Sequence, residues 1–389
     1  MKLPSSIIAS ALAAIMLAQA CTPAKKLTAD TSVKDALDSL VEAYFPGHNA
    51  PGAFVMVVRD DSTVYTKAQG LARLDSAFAI SDTTAFNICS VSKQFSAVAL
   101  LKLAQDGQLS LSDKVSDYFP DFKAPFFKDI TLAHLLSHTS GLPDLRPRNH
   151  EQWVEYLKDN ASIFGSSRDF RLYCPEEESI RFYEKLDSIN FAPGTGYDYQ
   201  NPTYQLVYYI VEHVTGTKFD EWMTENIFRP AGMEHTVYFE PERHIKNMAH
   251  AYRQNADNGK WEEYDYGEAN FFGTKADGGI YTTARDFALW QKALFGGKIV
   301  ADSTLQSAIT PYISTSEPYT GYGYGLYIEN RPDRPEKIYH TGDNGAFYIF
   351  EGEFPEKKLF YLIFANRDDW NREELVEKFD SIFTAARWL

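Results

Sequence analysis

Ser90 and Lys93 form the arrangement in this sequence with the clearest capacity for chemistry. They stand three residues apart in Ser90-Val91-Ser92-Lys93, so in a helix their side chains lie on one face, a turn apart. A serine hydroxyl is a poor nucleophile until a base removes its proton. A lysine in apolar surroundings has a lowered pKa and can act as that base. A helix N-terminus also offers free N–H groups to an oxyanion, so the pair indicates nucleophilic catalysis.

The same four residues permit a purely structural interpretation. A serine and a lysine at this spacing arise by chance about once in a chain of this length. Ser90 could cap a helix, and the Lys93 side chain could extend to solvent. The run from Ser90 to Gln105 is apolar on every face after Lys93, which predicts a helix buried all round. Taken alone, these residues leave both interpretations open.

Tyr199 and Asn201 favour the catalytic interpretation. They lie two residues apart in a turn-rich loop that begins at Pro193. In an extended segment both side chains would face the same pocket. A phenol beside a protonated lysine has a lowered pKa and can relay a proton. Tyr199 could also be one more packed aromatic residue.

His340-Thr341-Gly342 is a third candidate group. It is expected to end a strand and to enter the turn at Asp343-Asn344-Gly345. A glycine at that point lets a substrate approach the backbone of the strand edge. The sequence therefore predicts that a substrate binds along this edge.

Other chemistries lack their motifs. The sequence contains no G-x-S-x-G, H-E-x-x-H, P-loop or C-x-x-C pattern, and the glycines of Gly321 to Gly325 lack dinucleotide-loop spacing. His134 and His138 are four residues apart and could face one metal ion, but no third ligand accompanies them. They are expected to cap and pack the turn from Ser137 to Gly141. No metal and no cofactor are predicted.

Composition excludes several classes of protein. The chain has 389 residues, of which 44% are hydrophobic and 23% charged, as in ordinary globular proteins. Its net charge of −15 repels phosphate backbones, so no nucleic-acid partner is expected. The expected partner is a small-molecule or peptide substrate of the cell envelope.

The N-terminus has the features of an export signal. Lys2 precedes an apolar run from Ile7 to Leu17, and Ala18-Gln19-Ala20 resembles a cleavage site directly before Cys21. Residues 1–20 are predicted to be a signal peptide, and residues 21–32 a tether. We favour acylation of Cys21 over a chance cysteine after an ordinary signal. The predicted location is the periplasm or cell envelope, with membrane contact only through this anchor.

The elements that must position these groups come from both ends of the chain. Helices are predicted from Val33 to Phe45, from Thr283 to Leu294 and from Glu373 to Trp388, and helical patterns separated by loops fill the middle. Strands are predicted at the following places: Ala53 to Val58, Ser62 to Gly70, Tyr322 to Glu329, Ile338 to His340, Ala346 to Glu353 and Lys358 to Ala365. The middle patterns include Glu151 to Lys158, Glu178 to Ser188 and Tyr204 to Val214.

This distribution predicts an α+β fold. An antiparallel sheet is built from both termini, flanked by helices, and a helical lobe is inserted. The catalytic domain is expected to span residues 33–389, with its sheet part at about 33–88 and 278–389 and its helical part at about 89–277. Cys89 and Cys174 are expected to be free thiols, in preference to one disulfide.

Taken together, the three groups resemble the motifs of the penicillin-recognising serine hydrolases. The family of class C β-lactamases, D,D-carboxypeptidases, esterases and D-aminopeptidases has S-x-x-K, then Y-x-N, then K-T-G or H-x-G, in this order. The matching residues here are Ser90 to Lys93, Tyr199 to Asn201 and His340 to Gly342. The resemblance runs from about residue 33 to the C-terminus and implies a β-lactamase/transpeptidase-like fold, with the site between its sheet and helical parts.

The resemblance also implies a role for each residue. Ser90 would be the acylated nucleophile, and Lys93 and Tyr199 would share the proton transfers. Asn201 would hold the Lys93 amine and the substrate. The strand edge would bind substrate, with the oxyanion between the N–H groups of Ser90 and Asp343. The residues with implied binding roles are Asn201, His340, Thr341, Gly342 and Asp343.

One position departs from the class C pattern. Those enzymes have lysine where this chain has His340, and a neutral imidazole attracts a substrate carboxylate less. The resemblance thus implies a cell-envelope hydrolase of an amide or ester, acting on a D-amino-acid peptide, a β-lactam or a small ester. If the wild type hydrolysed nitrocefin near the diffusion limit, Arg331 or Arg334, from the loop before this strand, would have to supply the missing cation. A penicillin-binding domain that is acylated once, as a binder or sensor, is the alternative function.

Overall fold

The computed structural model describes residues 29–144, 175–240, 243–264 and 274–389. The predicted signal peptide, the Cys21 site, the helix from Glu151 to Lys158 and Cys174 lie outside these residues. In the described ranges, no helix combines the length and the apolar composition needed to cross a bilayer.

Eight strands of the described part of the chain form one antiparallel sheet, in the order β10-β11-β12-β13-β14-β15-β1-β2. Short additional strands form small two- and three-stranded sheets beside it. The strands are β1 (Ala53–Arg59), β2 (Ser62–Gln69), β3 (Leu71–Arg73), β4 (Phe78–Ala79), β5 (Ala85–Asn87), β6 (Val237–Tyr238), β7 (Tyr252–Gln254), β8 (Trp261–Glu263), β9 (Ile280–Thr283), β10 (Ile313–Ser314), β11 (Thr320–Tyr322), β12 (Tyr327–Glu329), β13 (Lys337–Asn344), β14 (Phe347–Phe354) and β15 (Leu359–Ala365).

Helices lie on both faces of this sheet. The α-helices of the described residues are α1 (Ala29–Tyr44), α2 (Lys93–Gln105), α3 (Val115–Tyr118), α4 (Leu132–Leu136), α5 (Pro175–Glu184), α6 (Asn201–Thr215), α7 (Phe219–Met223), α8 (Arg229–Ala231), α9 (Ala284–Phe295), α10 (Asp302–Ala308) and α11 (Arg372–Ala385). Shorter 3₁₀ turns lie at Cys89–Ser92, Pro125–Lys128 and Pro355–Lys357, and a π-helical turn lies at Thr224–Phe228.

The alternation of strand residues divides the core into two layers. In β1, Val55 and Val57 face α1 and α11, whereas Phe54 and Met56 face the layer that contains α2 and α9. β1 pairs with β15 from the far end of the chain, so that Ala53 lies opposite Ala365. The predicted antiparallel sheet built from both termini is therefore confirmed.

Helix α2 is buried on every side, as its apolar pattern predicted. Phe95 stacks on Trp290 of α9 with ring centroids 4.2 Å apart, and Leu100 and Leu103 are fully buried. The polar residues Lys93, Gln94 and Ser96 at its start are fully buried as well. Because a buried polar group needs a hydrogen-bond partner, polar groups of other elements must form hydrogen bonds with the side chains of this first turn.

Several predicted boundaries are wrong. The segment from Tyr322 to Glu329 is two strands, β11 and β12, rather than one. Strand β13 does not end at Gly342 but continues to Asn344, because its pairing with β14 runs from Ile338 to Asn344. Within the described residues, helix α1 covers Ala29–Tyr44 and so includes the last residues of the predicted tether.

Two glycines explain the break between β11 and β12. A Cβ atom on Gly323 would lie 1.9 Å from the backbone oxygen of Ala308. Gly325 has a φ of +75°, and a Cβ atom there would lie 2.8 Å from the backbone oxygen of Lys93. The segment from Gly321 to Gly325 therefore packs directly on the turn that carries Lys93, in agreement with its predicted close backbone packing.

Behind the first turn of α2, a buried carboxyl joins three elements. Glu351 of β14 accepts hydrogen bonds from Gln94 of α2 at 3.0 Å and from Gln291 of α9 at 2.9 Å. Trp290 donates in turn to Gln94 at 2.8 Å. Burial raises the pKa of Glu351 to about 8, and burial also raises that of the neighbouring Glu353 to about 8. Both carboxyls are therefore neutral in the folded protein at pH 6.

We expect the free energy of unfolding to fall as the pH rises from 6 to 9. The unfolded chain ionises these carboxyls near pH 4.5, so the folded state holds the extra protons and loses its advantage as the pH passes through about 8. Glu351→Gln should reduce this loss of unfolding free energy by an amount on the order of 1 kcal/mol or more. Urea unfolding at pH 6 and pH 9 measures the loss in each protein, and the exposed Glu356→Gln is the matched control. An equal loss in wild type and Glu351→Gln would contradict the expectation.

Candidate active site

Ser90 lies in a 3₁₀ turn that follows strand β5 in the chain. The preceding residue, Cys89, has a φ of +54°, a conformation that is uncommon for residues other than glycine. The side chain of Asn87 supports it by accepting the Cys89 N–H at 2.8 Å. The turn runs directly into α2, so Ser90 is partly exposed while Lys93 has no exposed surface. Backbone strain of this kind is frequent beside functional residues, which favours the catalytic interpretation of Ser90.

The structural interpretation of Ser90 and Lys93 is wrong. Ile88 occupies the cap position of the 3₁₀ turn, and no side chain caps it. Lys93 does not extend to solvent. Its Nζ atom lies 3.1 Å from Ser90 Oγ and 5.0 Å from the centre of the Tyr199 ring.

Two further contacts orient the Lys93 amine. Nζ donates to Asn201 Oδ1 at 2.7 Å and to the backbone oxygen of Asp277 at 2.8 Å. Carbonyl oxygens only accept hydrogen bonds, so both contacts direct N–H groups away from the serine. A neutral amine with two N–H groups so placed has its lone pair left for the Ser90 hydroxyl. The geometry thus suits removal of the serine proton by Lys93.

Asn201 is the first residue of α6, where Pro202 follows at a position that suits proline. The N–H of Gln200 donates to His138 Nδ1 at 3.1 Å, which fixes the segment before the helix. Asp277 is held from the other side, because Ser96 of α2 donates to the backbone oxygen of Ala276 at 2.6 Å. Asn201 therefore holds the Lys93 amine, the contact that the family resemblance implied.

The hydroxyl of Tyr199 is buried and makes no hydrogen bond to the described residues. Burial raises its pKa well above the usual value, with Tyr327 contributing in the same direction and the Ser90 hydroxyl opposing both. The predicted lowering of this pKa by Lys93 is wrong, because desolvation of a phenolate dominates. Tyr199 is thus a protonated phenol in the resting site, with its hydroxyl near that of Ser90.

Strand β13 lies beside the Ser90 turn. A Cβ atom on Gly342 would lie 2.5 Å from the backbone oxygen of Ile88, so only glycine permits this approach. The side chain of Thr341 is half-buried, and that of Asp343 is 52% exposed. The structure therefore brings all three sequence motifs to one place.

His340 differs from its expected placement. Its side chain is 1% exposed, and both ring nitrogens contact the protein: Nδ1 lies 2.6 Å from the backbone oxygen of Thr341, and Nε2 lies 3.1 Å from the hydroxyl of Tyr322. Burial lowers its pKa to about 3. The ring is therefore neutral, as predicted, but its nitrogens bond to the protein rather than facing a substrate.

Arg372 is a part of the site that the sequence analysis missed. It begins α11, is largely buried, and reaches Asp343 Oδ1 at 3.1 Å and the backbone oxygen of Gly342 at 3.4 Å. It also stacks on Tyr348, 4.0 Å from the ring centre. No motif surrounds it in the sequence, so only the fold reveals that it holds the end of β13.

Arg331 and Arg334 do not serve the site. Arg331 pairs with Asp333 and Glu377, and Arg334 pairs with Glu377 and Asp380 on α11. The hypothesis that one of them supplies a substrate-binding cation is therefore wrong. These ion pairs join the loop before β13 to the other face of the sheet.

His134 and His138 have separate structural roles. His134 Nδ1 accepts the N–H of Thr131 at 3.2 Å and so completes the start of α4. His138 is buried against Tyr199, with ring centroids 4.3 Å apart. Within the described ranges, no group of three or more metal-binding side chains occurs. Cys89 is a free, buried thiol, as predicted for it.

Comparisons with known proteins agree with this arrangement. A family model described as Beta-lactamase matches residues 35–382. Penicillin-binding protein 4* of Bacillus subtilis (strain 168) is 26% identical over 362 residues, which cover 90% of this chain and 74% of that protein. The octameric penicillin-binding protein homologue from Pyrococcus abyssi has a similar structure, with a TM-score of 0.76, 26% identity and coverage of 91% of this chain and 76% of that one.

An amidase has the same fold. The D-amino acid amidase from Ochrobactrum anthropi SV3, complexed with D-phenylalanine, gives a TM-score of 0.74 at 22% identity and covers 92% of this chain and all 100% of its own. At that identity the similarity shows the fold alone.

We expect Tyr199→Phe to fold normally and to lower kcat by roughly 100-fold, the usual scale for losing a positioned proton donor. The variant removes only a hydroxyl that has no partner in the described structure, so packing is kept. Tyr197→Phe is the matched control, because its hydroxyl bonds to Tyr327 at 3.3 Å instead. Steady-state hydrolysis of a p-nitrophenyl ester measures both, and an unchanged rate would make Tyr199 a packing residue.

Proposed function

The chain belongs to the Beta-lactamase family, whose model spans residues 35–382, and on this premise we propose that it is a cell-envelope hydrolase that cleaves an amide or ester bond through an acyl-Ser90 intermediate. The contact of Lys93 Nζ with Ser90 Oγ at 3.1 Å is the observation that carries the proposal. The N-terminal export pattern supports a location in the periplasm or cell envelope.

Acylation uses Lys93 as the base. Ser90 Oγ attacks the carbonyl carbon of the substrate while its proton passes to the neutral Lys93 amine. The carbonyl oxygen becomes an oxyanion, for which the N–H groups of Ser90 and Asp343 are the proposed donors. The bond to the leaving amine or alcohol then breaks, and the leaving group takes a proton from Tyr199, which recovers one from Lys93.

Deacylation reverses these roles. A water molecule attacks the acyl carbon, and its proton passes through Tyr199 and Lys93 to the departing Ser90 oxygen. The products are a free carboxylic acid and the original serine. Asn201 and the Asp277 carbonyl keep the Lys93 amine in place through both steps, since each accepts one of its N–H groups.

The charges of the site favour a substrate without a carboxylate. His340 is neutral, Arg372 is paired with Asp343, and Lys93 is held by Asn201 and Asp277. A substrate carboxylate would therefore approach the exposed side chain of Asp343 with no dedicated cation in the described part of the site. We propose that neutral esters and amides, including D-amino-acid amides, are better substrates than cephalosporins.

Ser90→Ala should abolish turnover and covalent labelling by a fluorescent penicillin or fluorophosphonate, because no oxygen is left to carry the acyl group. Ser92→Ala is the matched control: its hydroxyl lies in the same turn, is buried and has no partner among the described residues. Circular dichroism checks that both variants fold. Labelling of the folded Ser90→Ala variant would refute the acyl-Ser90 assignment.

A pre-steady-state burst separates turnover from single acylation. A hydrolase gives a burst followed by steady product release from a p-nitrophenyl ester. A domain that is acylated once gives a stoichiometric burst and then stops, which would favour the role of binder or sensor.

His340→Lys should change specificity more than chemistry. The His340 ring bonds to the protein, so only the longer lysine side chain could extend from this position to a substrate carboxylate. That charge-assisted contact is worth about 1.5–3 kcal/mol, or about tenfold or more in affinity. We expect kcat/KM for nitrocefin to rise by that factor relative to kcat/KM for a p-nitrophenyl ester. Equal changes for the two substrates, or nitrocefin hydrolysis near the diffusion limit in the wild type, would contradict the charge argument.

A further inference from the structure

A cavity of about 1340 Å³ lies between α9 and the sheet face next to the edge strand β2. Part of its floor is a row of paired residues on adjacent strands: Val58 of β1 lies opposite Phe360 of β15 on one side and opposite Thr63 of β2 on the other. Leu289 of α9 lines the other side of the cavity and is 39% exposed. None of the described residues that line this space belongs to the candidate active site.

Glu353 of β14 extends this row, because it pairs with Phe360. It lines the cavity, and its side chain is only 9% exposed. The described residues give its carboxyl neither a hydrogen bond nor an ion pair, whereas Glu351, two residues earlier, accepts hydrogen bonds from Gln94 and Gln291. A buried polar group without a protein partner is costly, so this carboxyl is suited to bonding with a bound molecule.

The acidic groups near Glu353 favour a cation as its partner. Burial raises the pKa of Glu353 to about 8, and the acidic side chains of Glu351 on β14 and of Asp61 in the turn between β1 and β2 act in the same direction. A positive charge placed at the floor of the cavity would be attracted by all three carboxyls, and a negative charge would be repelled.

The basic residues of the cavity are already paired or exposed. Arg285 forms an ion pair with Asp82, which lines the same space. The other basic residues that line it are three exposed lysines, namely Lys292, Lys298 and Lys358. Water and salt screen exposed charges, so contacts of an anion with these lysines are weaker than a charge-assisted bond at the buried carboxyl.

We propose that this cavity binds an organic ammonium ion: the apolar body of the ligand lies between the sheet face and α9, and its ammonium group donates hydrogen bonds to Glu353. On binding, the Glu353 carboxyl gives its proton to the solvent, and the carboxylate that forms pairs with the ammonium group. One proton is therefore released for each ligand bound. The site is separate from Ser90 and does not depend on the reaction proposed there.

Isothermal titration calorimetry with 4-phenylbutylamine tests this linkage in the wild type. The probe stays cationic from pH 6 to pH 8, as a lysine does. Its association constant should rise by about tenfold from pH 6 to pH 7, because the free carboxyl has a pKa of about 8 and only its ionised form pairs with the amine. Titrations in buffers of different ionisation enthalpy should show release of about one proton at pH 7. Binding without pH dependence, or no binding, would overturn the proposal.

Two ligands with the same apolar body separate charge from hydrophobic burial. At pH 8 the amine should bind about tenfold more tightly than 4-phenylbutan-1-ol, which lacks the charge. Equal affinities would show an apolar cavity without a cation site and would overturn the proposal. Tighter binding of 4-phenylbutanoate would assign the cavity to an anion held by the lysines and would also overturn it.

Variants locate the bound amine. Glu353→Gln keeps the shape of the side chain and should remove the proton release and the pH dependence, while the affinity for the alcohol stays unchanged. Glu356→Gln, in the exposed turn after β14, is the matched control and should change neither. Ala68→Trp places a large ring at an exposed position of β2 that lines the cavity, and it should block both ligands. Amine binding that survives both Glu353→Gln and Ala68→Trp would lie elsewhere and would overturn the proposal.

Discussion

The buried amine of Lys93 is the group on which the rest of the site depends. An isolated charge or amine in the interior is costly unless polar partners surround it. Its partners come from three separate segments: the serine turn before α2, the first residue of α6, and the backbone just before β9. Each of these segments is held by its own contacts, through Asn87, His138 and Ser96 respectively. The position of the amine is therefore fixed by all three segments together, and not by helix α2 alone.

The sheet supplies the other half of this constraint. The backbone of β13 can approach the serine turn only because Gly342 has no side chain, and the segment after β11 can rest on Lys93 only because of Gly325. Arg372 then joins the end of β13 to the first turn of α11, on the far side of the sheet. The part of β13 beside Ser90 is thus held by contacts on both faces of the sheet. For this reason Arg372, which is far from Ser90 in the sequence, helps to shape the surroundings of the serine.

Motif order and hydrophobic pattern were enough to predict the fold class and to bring Ser90, Lys93, Tyr199 and Asn201 together. Such patterns report the spacing of residues along the chain and their burial, and these two properties identify the four residues. They do not record which hydrogen bonds a buried side chain makes, so the direction of the Tyr199 pKa and the inward bonding of His340 were predicted wrongly. Arg372 was missed for the same reason. It stands alone in the sequence and acquires its role only when α11 packs under β13.

The pairing of β1 with β15 has a consequence for how the chain folds. Ala53 and Ala365 are neighbours in the sheet, although almost the whole chain separates them. A hairpin of β1 and β2 can form early, but its outer edge stays unpaired until the last strand has been made and brought back. Contacts over such distances close slowly, and an open strand edge invites pairing with other chains in the meantime. A protein built in this way benefits from staying unfolded, or protected by a chaperone, until its C-terminal segment is available.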